Sequence, residues 1–131
     1  MNEVLEFFNE CGVFFVSTVD GNQPRVRPFG FAMEYDKKLC FATSNQKPIY
    51  DQLMKNPNVE ISASSKDGRW LRISGKAVFC TSKESKAQAL EIMPMLKHMY
   101  SVEDEIFEIF YLDNAVANFC SMDGDSKTIT L

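Results

Sequence analysis

Apolar positions along this 131-residue chain change period repeatedly, and each change marks an element. Val4, Leu5, Phe8 and Cys11 recur at helical spacing, which predicts a first helix ended by Gly12 as a left-handed cap. Val13 to Val19 is β-branched and aromatic, hence a strand, with Asp20-Gly21-Asn22 as its turn. The next strand is predicted from Pro24 to Tyr35, turning at Asp36-Lys37-Lys38 and returning along Leu39 to Thr43. Pro48 opens a second helix over 48–55. Asn56-Pro57 stops it, because a residue before proline avoids helical geometry. Val59 to Ser65 is a further strand, closed by Lys66-Asp67-Gly68.

From Arg69 to Cys80 the alternation is clearest: Leu71, Ile73, Gly75, Ala77 and Phe79 take one face, and Trp70, Arg72, Ser74 and Lys76 the other. Thr81-Ser82-Lys83-Glu84 carries a capping-box pattern and opens a helix with Ala87, Leu90, Met93 and Leu96 inside, which Pro94 should kink or break. Phe107 to Met122 reads as one long bent strand or two shorter ones, and Asp123-Gly124-Asp125 turns into a last short strand. The pattern is mainly β with flanking helices. Six or seven antiparallel strands joined by tight turns favour a small closed barrel in one domain, 1–131.

Composition narrows the function classes. The chain is 45% hydrophobic and 24% charged, ordinary for a globular domain, and its net charge of −4 argues against a nucleic-acid footprint. No apolar stretch approaches the ~18 residues of a membrane span. The N-terminus lacks the basic-then-apolar pattern of a secretory signal. Cys11, Cys40, Cys80 and Cys120 are far apart, so reduced thiols in a cytoplasmic protein are expected, with neither a disulfide frame nor a zinc site. His98 is the only histidine, and its methionine-rich setting reads as a helix surface. No catalytic residue can be named.

Candidate chemistry lies elsewhere. In Gln23-Pro24-Arg25-Val26-Arg27-Pro28-Phe29-Gly30-Phe31, two arginines share a strand face with two phenylalanines, which fits a flat, partly anionic ligand. Alternatively, both arginines snorkel to solvent. Prolines in that strand mark an edge or an irregular stretch. Lys47 precedes the 48–55 helix, where a cation is disfavoured by ~0.3–1 kcal/mol. It is explained if that helix start, with Thr43 and Ser44 beside it, holds a phosphate. Otherwise it is a solvated lysine. Trp70 beside Arg72 on a polar strand face marks either an interface or a tryptophan covering the barrel surface.

"PRVRPFGF", "CFATSNQKPIYDQLMKNPNVEIS" and "WLRISGKAVF", in this order and spacing, resemble the pyridoxamine 5′-phosphate oxidase-like FMN-binding split-barrel proteins. The resemblance spans nearly the whole chain and is nearest the short members related to nitroimidazole-resistance proteins. It implies a split barrel, a homodimer, and FMN in a cleft between the two barrels. Arg25, Val26, Arg27, Pro28, Phe29 and Gly30 would line the isoalloxazine, with Ala42 and Thr43 touching it from the next strand. Lys47, with Ser44 and Asn45 nearby, would correspond to the phosphate segment. Gln46 replaces an arginine common in relatives, which shifts weight onto Arg25 or Arg27. Trp70 and Arg72 would lie at the dimer interface, and Phe119 with Phe29 would wall the pocket. No arginine follows Arg72, so the C-terminal grip on a vitamin B6 substrate is missing.

A flavoprotein needs no acid–base pair of its own, since the cofactor supplies the redox chemistry. The resemblance therefore implies an oxidoreductase passing electrons from a nicotinamide donor through FMN to a small acceptor such as a nitroaromatic or quinone. Arg25 or Arg27 near the pyrimidine side would stabilise reduced flavin. The alternative is a dimeric binding module that stores or senses FMN, haem or another planar ligand without turnover.

Overall fold

In the computed structural model, which describes residues 1–131, tight turns decide which strands pair. After helix α1 (Asn2–Cys11), ended by Gly12 at φ 81°, β1 (Phe14–Asp20) and β2 (Gln23–Phe29) meet across Gly21-Asn22. β3 (Met33–Tyr35) and β4 (Lys38–Ser44) meet across Asp36-Lys37, both at positive φ as a type I′ turn requires. Helix α2 (Pro48–Lys55) leads to β5 (Asn58–Ser64), which is antiparallel to β6 (Arg69–Phe79). Helix α3 (Lys83–Ile92) and a 3₁₀ helix (Pro94–His98) separate β6 from β7 (Phe107–Ser121), and β8 (Ser126–Thr130) folds back on β7.

The sheet order is β2-β1-β5-β6-β7-β4-β3, with β8 on β7. Its two outer strands, β2 and β3, are consecutive in the chain and joined only by Gly30-Phe31-Ala32. Four residue steps span at most ~14 Å, so the sheet must curl until its edges approach. The edges still do not pair. By the hairpin register, Pro24 and Pro28 turn their backbone nitrogens to the outer edge of β2, which leaves that edge short of donors. The barrel is therefore split, where periodicity alone favoured closure. The single strand expected from Pro24 to Tyr35 is two strands on opposite edges, which brings the total to eight.

β7 organises the other half. β4 pairs with its start (Phe107–Tyr111) and β8 with its end (Val116–Cys120), while β6 runs along the opposite edge. Between Val116 and Asp113, β7 carries one more residue than β6 does between Ser74 and Lys76, and Asn114 sits at φ 53° in this bulge. Gly75 faces it closely. A Cβ there would lie 3.1 Å from Leu112 Cβ and 3.2 Å from the Asp113 carbonyl oxygen.

Helix α3 corrects a detail of its cap. The box is formed by Ser82 and Ser85, whose hydroxyls accept each other's backbone N–H at 3.0 and 2.9 Å. Thr81 instead accepts the Ile109 N–H from β7 (3.0 Å), and Glu84 is exposed. Ala89 and Leu90 are buried while Ala87 is exposed, so the helix turns a different stripe inward than expected. Pro94 does break the helix. Met93 and Leu96 continue beyond it, half-buried. No helix is long and apolar enough to cross a membrane.

Candidate functional site

Beside the open end of β2 lies a cleft of about 620 Å³, within the usual range for small-ligand sites. The end of β2 and the bridge to β3 (residues 27–31) form one wall, and Ala42 and Thr43 of β4 form the floor. Lys47, Pro48 and Ile49 stand at one end. Met93, Met95, Leu96, Met99 and Tyr100, from the 3₁₀ helix and its flanks, form the opposite wall. Phe29 reaches from the cleft toward the core, its ring 6.4 Å from both Phe41 and Phe110. Tyr100 stacks on Phe107 at 4.4 Å with 14° between the rings. Burial pushes its phenol above the ordinary value, and the hydroxyl lies beside Ser44.

Both cations of the lining, Arg27 and Lys47, belong to the end where α2 begins. Lys47 is the N-cap residue of α2, with extended backbone and no side-chain cap. Pro48 has no N–H, the Tyr50 N–H bonds Lys47 O at 3.1 Å, and the Ile49 N–H is left with no acceptor in the protein. An uncapped helix start beside a lysine attracts an anion through both the backbone N–H and the helix dipole.

Arg27 is anchored. Its Nη1 donates to Val16 O (3.1 Å) and Thr18 Oγ1 (2.8 Å), and its Nη2 donates to Gln52 Oε1 (2.6 Å). Thr18 Oγ1 in turn donates to the same Gln52 oxygen at 2.6 Å. Burial lowers the Arg27 pKa from its ordinary value, though an arginine stays charged at neutral pH. Arg25, two residues earlier on the same strand face, is exposed and pairs with Asp20 at 3.4 Å.

Arg27, Pro28, Phe29, Gly30, Ala42, Thr43 and Lys47 thus come together in one cleft. Val26 points to the outer face of β2 and is 66% exposed. Ser44 and Asn45 hold the turn before α2: Ser44 Oγ accepts the Gln46 N–H (3.0 Å), and Asn45 Nδ2 donates to Glu105 O (2.8 Å) and Glu108 Oε2 (2.9 Å). Trp70 and Arg72 lie on the outer face of β6, opposite Ser64 and Ser62 of β5, and do not line the cleft within one chain. Phe119 does not line it either. Its ring meets Phe7 edge-on at 5.7 Å, in a separate groove with Arg69 and Lys127. His98 is exposed, and no three histidine, cysteine, aspartate or glutamate side chains gather as a metal site.

Phe31, read from the sequence on the same face as Arg27 and Phe29, also lines the cleft, while sequence reading missed Thr18, Gln52 and the whole methionine wall. Gln52 had a signal, since it sits between Ile49 and Leu53 on the buried stripe of α2, where a polar residue needs a partner. The wall had one too, in a run of methionines around Pro94 that no apolar stripe could bury together.

A family model described as pyridoxamine 5′-phosphate oxidase matches residues 1–112. The crystal structure of a NimC/NimA family protein from Clostridium acetobutylicum superposes with a TM-score of 0.95 at 44% identity, covering 100% of this chain and 92% of that one. A pyridoxamine 5′-phosphate oxidase-related, FMN-binding protein from Nostoc punctiforme shares the fold at 14% identity (TM-score 0.60, 99% and 93% covered). So does a heme-binding protein from Mycobacterium smegmatis at 12% identity (TM-score 0.75, 95% and 55% covered). No curated protein matches the sequence.

Proposed function

Because this chain belongs to the pyridoxamine 5′-phosphate oxidase family, we propose that its cleft binds FMN and that the protein is an FMN-dependent oxidoreductase acting on a small acceptor. One observation carries the reading. The cleft is apolar along its length and has both of its cations at one end, against the uncapped start of α2. That polarity matches a ligand with a flat ring system and a terminal phosphate.

Lys47, the Ile49 N–H and Arg27 meet the phosphate, while Pro28, Phe29, Gly30 and Ala42 lie along the ring. Held by these residues, FMN would supply the redox chemistry between a nicotinamide donor and an acceptor such as a nitroaromatic or quinone. The methionine wall leaves room for that acceptor and presents polarizable, uncharged surface to it.

The working unit is a two-fold homodimer, the commonest closed assembly. The outer faces of β1, β2 and β6 expose Phe15 (46%), Val26 and Arg72 beside the half-buried Trp70, a mixture suited to a partner chain. Trp70 and Arg72 would then serve the site across that interface, whereas Phe119 packs inward against Phe7 and is not part of it.

The test starts from protein purified without added cofactor and titrated with FMN under fluorescence detection. Saturable quenching is expected, weakened about tenfold in Lys47→Ala, consistent with loss of one phosphate contact of ~1.4 kcal/mol. Absence of saturable binding would sink the flavin reading. Binding without consumption of a nicotinamide donor in the presence of menadione or a nitroaromatic would make the protein a flavin carrier rather than an enzyme.

A further inference from the structure

We propose that Gln52, with Thr18, is a positioning residue that presets Arg27 as a two-pronged phosphate grip; this deepens the FMN reading and rests on it. A guanidinium has five N–H donors in a fixed plane. Three are committed: two on Nη1, to Val16 O and Thr18 Oγ1, and one on Nη2, to Gln52 Oε1. The two that remain, on Nε and Nη2, lie side by side on one edge, the fork that fits two oxygens of a phosphate. Arg27 lines the cleft, so this free edge is the one a ligand there can meet.

The holder is itself closed. Gln52 Oε1 accepts from both Thr18 and Arg27, and Thr18 Oγ1 accepts from Arg27 while donating to Gln52. Both residues are buried, 8% and 1% exposed, and they come from α2 and β1. Two elements, β1 and α2, thus fix a side chain carried by a third, β2. Because Gln52 sits four residues after Pro48, its side chain lies over the first turn of α2. The clamp therefore draws the guanidinium toward the helix start that also carries Lys47. Arg25, tied only to exposed Asp20, has no such device. Of the two arginines, Arg27 is the phosphate contact.

An arginine held in place has already lost the rotamer freedom that binding would otherwise take from it. Removing the clamp should therefore weaken the grip on the phosphate without touching the ring. The test compares affinities for FMN and riboflavin, which differ by that phosphate. The wild-type chain is expected to prefer FMN. Gln52→Leu should lose about tenfold in FMN affinity, the cost of ordering one arginine side chain, with riboflavin affinity unchanged. Thr18→Val, close in shape, should move the same way by less, and guards against a Gln52 variant that fails to fold.

A double-mutant cycle decides whether Gln52 acts through Arg27. In an Arg27→Lys background, which keeps the charge but removes the fork, Gln52→Leu should have no further effect on the FMN-to-riboflavin ratio. Two results overturn the inference alone: a wild-type preference for FMN that Gln52→Leu leaves intact, or an equal loss with or without the arginine. A wild-type chain with no preference for FMN over riboflavin overturns it together with the proposed phosphate site.

Discussion

The cleft separates two buried regions that differ in size and finish. On the barrel side, 19 residues form one core, with Phe8 stacked on Phe14 at 4.1 Å and Phe41 on Phe110 at 5.4 Å. On the other side, seven buried residues lie between the sheet and α3. That cluster ends at the 3₁₀ helix, where Met95 and the flanking Met99 are 73% and 61% exposed. One wall of the cleft is anchored through Phe29 in the deep aromatic core, although Phe31 at its far end belongs to the smaller cluster. The other belongs to a thin cluster, with few apolar contacts to hold it, and can open locally. A fixed wall beside an adaptable one suits a site that keeps one flat ligand in place and admits a second of variable shape.

The largest test of this contrast is cavity formation. Phe110→Ala empties the centre of the barrel core and should cost ~3–5 kcal/mol, seen as a large drop in denaturation midpoint with all probes moving together. Leu90→Ala in the small cluster should cost less, ~2–3 kcal/mol, and should raise amide exchange chiefly across residues 83–106. Equal losses and equal exchange patterns would mean that the two regions form one cooperative core, and the contrast would fail.

A second, smaller effect is electrostatic. The loop that returns from the 3₁₀ helix to β7 is pinned by Asp104, whose carboxylate accepts the N–H groups of Phe107 (2.9 Å), Ser101 (2.8 Å) and Ile106 (3.1 Å). Lys86 of α3, 7% exposed, donates to the Asp104 carbonyl oxygen at 2.7 Å. Desolvation opposes ionisation of Asp104, yet these N–H groups together with Lys86 hold its pKa below the ordinary value. The native state thus binds this proton less readily than the unfolded chain does. Its contribution is present above the unfolded aspartate value of ~3.9 and is lost as pH falls through the lower folded value. Asp104→Asn should cost ~1–2 kcal/mol at pH 7 and flatten the acid limb of the stability profile. Limited proteolysis between residues 99 and 107 across pH is the check, and an acid limb unchanged by the substitution would exclude this role.

How much of this was legible in advance follows the same division. The barrel core came from local patterns: alternation in β5 and β6, the turn at Gly21-Asn22, and the Pro48 start of α2 all name their partners within a few residues. The seven cleft residues named from the sequence were readable because Arg27 to Gly30, Ala42-Thr43 and Lys47 sit on such elements. What could not be read depends on closure in three dimensions. Gln52 meets Arg27 from 25 positions away, and the distance between them exists only once α2 packs on β1. The methionine wall has no period to follow, since Pro94 ends one geometry and begins another. Phe119 alternates correctly for an inward face, but alternation does not say which end of a curled sheet that face reaches.

The smallest effect on stability should be the most telling about function. Met95 and Met99 are largely exposed, so Met95→Ser combined with Met99→Ser should leave the denaturation midpoint almost unchanged, within ~0.5 kcal/mol per site. FMN affinity should hold as well, because neither side chain belongs to the end that carries Lys47 and Arg27. An apolar acceptor seated against this wall would lose contact with two thioether side chains, at ~0.8 kcal/mol for each methylene-sized group no longer covered. The expected readout is therefore a several-fold rise in KM for menadione, with unchanged melting and unchanged flavin binding. A marked loss of stability would instead make the methionines part of the core, and the contrast between a fixed and an adaptable wall would not hold. An unchanged KM would place the acceptor on the β2 side of the cleft, where only Phe29, Pro28 and Gly30 are left to meet it.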